Sequence, residues 1–68
     1  MEVWKYYEGK KVFIILKNKR QYSGVVLEVE TNPNSPLVWI VIKDKFGNRI
    51  TFVNSEIEVI QEENDLGN

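Results

Sequence analysis

Five short runs of β-branched and aromatic residues, each stopped by Asn, Gly, Pro or Ser before it can lengthen, constrain this chain more than any other feature. In 11–17, Val12, Ile14 and Leu16 point to one side while Phe13 and Ile15 point to the other, so the strand is covered on both faces. In 21–30, Ser23, Val25, Leu27 and Val29 alternate with Tyr22, Gly24, Val26 and Glu28, and Gly24 marks a bend or a close backbone approach. The stretch 37–44 sets Trp39 and Val41 against Val38, Ile40 and Ile42, and 49–53 and 57–61 are two shorter strands. Asn18-Lys19 and 54–56 supply turns, 44–48 reads as a hairpin with Gly47 at positive φ, and 31–36 reads as an enlarged irregular loop. Ahead of them, Val3, Trp4 and Tyr7 stand at helical spacing in 1–8, and Gly9 closes that segment. The predicted fold is mainly β: a short N-terminal helix followed by a five-stranded, strongly bent, open barrel. It forms one domain over 1–61, with an acidic, flexible C-terminal tail over 62–68.

The chain has no cysteine and no histidine, which removes disulfides, structural zinc, thiol nucleophiles and imidazole bases together. Ser23, Ser35 and Ser55 have no histidine to activate them, and the pairs Glu28/Glu30 and Glu56/Glu58 fit wet strand faces. No enzymatic activity, metal, cofactor or small-molecule substrate is expected. The longest apolar stretches, 12–16 and 37–42, fall far below the ~20 residues of a membrane span, and no signal-peptide layout opens the chain. No membrane association is expected, and the cytoplasm is the expected compartment.

Charge is polarised along the chain: 1–20 carries net +4, 21–49 is balanced and 50–68 carries −5. With a total of −1 there is no long-range pull on a polyanion, so nucleic-acid binding would need a local basic patch. Lys17, Lys19 and Arg20 beside Tyr22 form one such cluster, although a solvated hairpin tip explains the same residues.

The order Gly9-Lys10, Val12, Ile14, Leu16-Lys17, Arg20, Tyr22, Gly24, Val26 and Glu30, followed by 52–60, resembles the two motifs of the Sm/LSm (Sm-like) family over residues 1 to 61. Small SH3-like barrels are the nearest alternative. The resemblance implies a ring of subunits joined edge to edge and a uridine pocket built from an Asp-x-x-x-Asn loop and an Arg-Gly pair. Here Glu30 and Asn34 keep the loop interval, but no aromatic or Met lies between them. Val53 stands in the arginine's place, and Asn54 replaces the glycine as a residue that tolerates left-handed backbone. The chain thus resembles a divergent member of that family, with a degenerate uridine site as the expectation.

The expected RNA contacts are Lys19, Arg20, Glu30, Asn32, Asn34, Arg49 and Asn54, and the expected subunit contacts are Trp39, Ile50, Phe52, Ile57 and Val59. The expected function is a homo-oligomeric, RNA-binding Sm-like ring acting as an RNA chaperone or ribonucleoprotein scaffold, with single-stranded RNA as partner. The alternative is an Sm-fold protein-interaction module without nucleic-acid binding.

Overall fold

The computed structural model of the chain describes residues 4–63. Its five strands are β1 (Lys11–Leu16), β2 (Gln21–Asn32), β3 (Ser35–Lys43), β4 (Arg49–Val53) and β5 (Ile57–Glu62). All neighbours are antiparallel, in the order β4-β3-β2-β1-β5. Strands β1 to β4 follow one another as hairpins, then a 3-10 turn (Asn54–Glu56) returns the chain to the far side of β1. The sheet stays open, with β4 and β5 at its edges. No helix among the described residues is long and apolar enough to cross a membrane.

The expected N-terminal helix is instead one 3-10 turn, Trp4–Tyr7, and Val3 lies outside the described residues. So short a segment cannot offset the cost of nucleating a helix, and tertiary bonds hold the turn in place. The Tyr6 hydroxyl donates to Glu62 Oε1 at 2.8 Å, and the Glu8 carboxylate accepts the Val29 N–H at 2.9 Å. At the far end β5 runs one residue past the expected Gln61, and the Glu63 N–H donates to the Lys11 carbonyl at 2.8 Å. Of the expected acidic tail, 64–68 lies outside the described residues.

Strand β2 departs from simple alternation. Val26 pairs with Ile42, yet Glu28 pairs with Val41, so Leu27 is the extra residue of a β-bulge. The phase therefore changes: Gly24, Val26 and Val29 face the core, while Val25 and Leu27, expected to share a face with Val29, are each 40% exposed. On the other edge of the bent stretch, the segment before β1 continues the ladder with β2. Gly9, at φ +80°, donates its N–H to the Val26 carbonyl at 2.8 Å, and the Val26 N–H donates to the Lys10 carbonyl at 2.9 Å.

Among the described residues the core is wholly apolar: Val12, Ile14 and Leu16 from β1, Val26 and Val29 from β2, Val38, Ile40 and Ile42 from β3, then Phe52 and Ile57. Burying each such side chain contributes about 1.5–3 kcal/mol. On β1 and β3 the observed inward sets are those the alternation predicts. The Tyr22 ring packs on Phe52 with centroids 5.0 Å apart, at the margin of this core.

The β1–β2 and β3–β4 turns have the same three-residue geometry. Lys19 donates its N–H to the Leu16 carbonyl at 2.9 Å and Leu16 donates to Arg20 at 2.8 Å; Gly47 donates to Asp44 at 3.0 Å and Asp44 to Asn48 at 2.9 Å. The third residue has positive φ in both, +76° at Lys19 and +86° at Gly47. A longer turn thus does not spare Lys19 the left-handed conformation.

Three outcomes follow. A Cβ at Gly24 would lie 2.5 Å from the backbone oxygen of Lys43, so Gly24→Ala should lower stability in urea by about 2–3 kcal/mol. Lys19→Gly relieves the positive φ and should raise stability by about 0.5–1 kcal/mol in the same assay, despite losing the exposed Lys19–Glu58 pair. Asp44 is held below its ordinary pKa chiefly by the Asn48 N–H, with the Phe46 N–H adding to it, against an opposing desolvation cost. Its contribution is therefore complete above about pH 4 and fades as pH falls through the lowered value. Acid titrations of Asp44→Asn, whose amide oxygen still accepts both bonds, should show a flatter loss of stability than the parent chain.

Candidate nucleic-acid interface

The β2–β3 connection is tighter than 31–36 suggested. Strand β2 continues through Asn32 and β3 starts at Ser35, so only Pro33 and Asn34 join them. Proline at 33 needs no ladder partner, and Asn32 Oδ1 accepts the Asn34 N–H at 2.8 Å, closing the turn. The surplus length is absorbed within β3: Asn32 pairs with Ser35, but Thr31 already pairs with Val38, so Pro36 and Leu37 bulge outward.

That bulge is held by Asn54. Its Oδ1 accepts the Val38 N–H at 3.1 Å and its Nδ2 donates to the Pro36 carbonyl at 3.3 Å. Asn54 does not occupy the left-handed region expected of it, since Lys19 is the sole non-glycine residue with positive φ among those described. The fold uses the side-chain amide of Asn54 rather than any backbone freedom.

These bonds bring two distant segments to one cavity of about 350 Å³, lined chiefly by Trp4, Asn32, Pro33, Pro36 and Asn54. Trp4 supplies the aromatic surface that the hairpin lacks. Sequence reading placed it on the apolar face of a helix, because nothing local shows that Glu8 and Gly9 dock the N-terminal turn on the middle of β2. The chemical capacity of the cavity is an indole beside amide donors and acceptors. Asn54 is half committed, whereas Asn32 Nδ2 has no hydrogen-bond partner among the described residues.

The other expected contacts are dispersed. Glu30 is exposed opposite Trp39, Asn34 is at the exposed hairpin tip, and Arg49 is at the other end of β4 from Asn54. Lys19 pairs with Glu58 at 3.0 Å, and Arg20 is exposed on the same turn. That turn abuts the second 3-10 turn, because the Lys17 N–H donates to the Glu56 carbonyl at 2.9 Å. Tyr22 packs one side of its ring against Phe52 and is half-buried at the margin of the core.

The expected subunit contacts divide likewise. Phe52 (3% exposed) and Ile57 (8%) lie in the core opposite Ile40 and Leu16, which removes their side chains from any outer surface. Ile50 is half-buried against that core. Trp39, 44% exposed, and Val59 remain outward. Among the described residues no three acidic side chains converge as a metal site. No family model, curated protein or solved structure matches the chain.

Proposed function

We propose that this chain is an Sm-like protein that assembles edge to edge into a ring and binds single-stranded RNA at the hairpin-end cavity. One observation carries the reading. The two segments that the Sm resemblance assigns to base binding, 30–34 and 53–54, meet through Asn32 and Asn54 at one cavity beside Trp4. An indole gives a sequence-tolerant stacking surface, typically about 1–3 kcal/mol per base, and amides read base edges. Trp4 takes the stacking role that Val53 cannot fill.

Assembly is supported by the edges. Strands β4 and β5 each have one neighbour in the sheet, and neither contains proline. Pairing β4 of one copy with β5 of the next is a head-to-tail contact that closes when the rotation divides a full circle. A ring multiplies a weak site by its copy number, which offsets the chain's net charge of −1. The second reading, a protein-assembly module, draws on Trp39, which lies on the outer face opposite Val53 and Glu30.

Light scattering should give a mass several times 8.0 kDa. Anisotropy titrations with labelled oligouridine and oligoadenosine should show salt-sensitive binding that Trp4→Ala weakens about tenfold. A multimer that ignores RNA would favour the assembly module, and a monomer that ignores RNA would discard both readings.

A further inference from the structure

A second groove, of about 400 Å³, lies at the other end of β3. It is lined by Tyr22, Gly24, Lys43, Lys45, Phe46 and Ile50. Nine residues of β3 separate its ends, so about 25 Å divides this groove from the hairpin-end cavity. Its floor exists because Gly24 has no side chain where β2 crosses closest to Lys43.

Phe46 is the residue that the fold does not explain. It is 77% exposed, the most of any large apolar side chain described. The turn that carries it needs Asp44 to accept the Phe46 and Asn48 N–H groups and Gly47 to take positive φ, but it asks nothing of the side chain at 46. The twin turn between β1 and β2 has Asn18 at the equivalent place. An aromatic ring held out in solvent, with Lys45 Nζ 5.4 Å from its centroid, is instead a surface on which a flat ring can stack.

The charge beside it is also uncompensated. Lys43 and Arg49 stand directly opposite one another across the β3–β4 ladder, a like-charge pair that costs stability unless an anion bridges it. Lys43, Lys45 and Arg49 form no ion pair among the described residues. The one acid within the groove, Asp44, has its carboxylate turned back onto the turn's N–H groups.

We infer that this groove binds a nucleoside phosphate, the base stacked on Phe46 and the phosphate held by Lys43 and Lys45 with Arg49 at its margin. The inference stands apart from the hairpin-end cavity and needs no ring. The same chemistry is presented by one nucleotide of an RNA strand or by a free mononucleotide, and competition separates the two.

The test uses the whole chain and labelled eight-nucleotide oligoadenosine and oligouridine, with AMP, UMP and polyglutamate as competitors. Phe46→Ala should weaken binding about tenfold, while Phe46→Trp should keep it and report base stacking by quenched fluorescence. Lys43→Ala/Lys45→Ala should lower the slope of log affinity against log salt by about 1.4. All three positions are exposed, and thermal melts should show all three variants folded. Displacement by AMP or UMP assigns the site to free nucleotides; displacement by RNA alone assigns it to a strand. Binding unchanged in Phe46→Ala and in the double lysine variant overturns the inference, as does displacement by polyglutamate as effective as by RNA. If Trp4→Ala removes binding and Phe46→Ala does not, the hairpin-end cavity stands alone; the reverse leaves only this groove.

Discussion

Strand β2 serves two neighbours that face different ways, and the rest of the fold depends on the bend that lets it. Its first half, Gln21 to Val25, pairs with β1, and its second half, from Val25 on, pairs with β3. A straight strand of twelve residues would extend about 40 Å and splay these partners apart. Two devices prevent this within four residues. Gly24 lets the Lys43 backbone come closer than any Cβ would allow, and the bulge at Leu27 adds one residue and with it extra twist. The bend then faces Val26 and Val29 into the same core as Val12, Ile14, Ile40 and Ile42. Glu8, Gly9 and Lys10 complete it by satisfying backbone groups along the bent stretch. The N-terminal turn thereby braces the bent strand as well as walling the cavity.

How much of this is legible in the sequence follows from which interactions are local. The inward faces of β1 and β3 could be read directly, because alternation depends only on the pleat. The glycine at 24 announced a close approach without saying to what. The bulge at Leu27 is invisible in QYSGVVLEVE, where Val25, Leu27 and Val29 alternate without a break; only the register with β3 shows where the phase slips. The 31–36 segment misled for the complementary reason. Its Pro, Asn and Ser content signals turn chemistry, yet the chain spends that chemistry on a two-residue connection and a bulge in β3, both tied by asparagine amides.

The site divides along the same line. Asn54 was singled out by motif position and Asn32 as a loop amide, and in the fold both amides first serve the backbone. Trp4 was illegible because its place depends on contacts to Val26, Val29 and Glu62, made by its neighbours rather than by itself. The basic cluster at 17–20 looked coherent as a string, yet Lys19 reaches Glu58 and Tyr22 turns to Phe52. Adjacent residues in a hairpin point to opposite faces, so a cluster in sequence need not be one on a surface.

The two matching turns show what selection of a side chain by geometry looks like and where it stops. Both need a residue at positive φ; one has glycine and the other lysine, and the lysine's cost is the signature of a position where side-chain chemistry outweighs backbone ease. Both also need an acceptor that closes the turn, met by Asn18 for the Arg20 N–H and by Asp44 for those of Phe46 and Asn48. After those requirements are met, the residues left unexplained are Lys45, Phe46 and the facing cations Lys43 and Arg49. Cations and aromatic surface gather there without an ion-pair partner among the described residues, whereas Lys19 of the first turn reaches Glu58 on β5. On two turns of equal geometry the backbone asks for neither the lysines nor the phenylalanine, and the proposed nucleoside-phosphate site gives both a role.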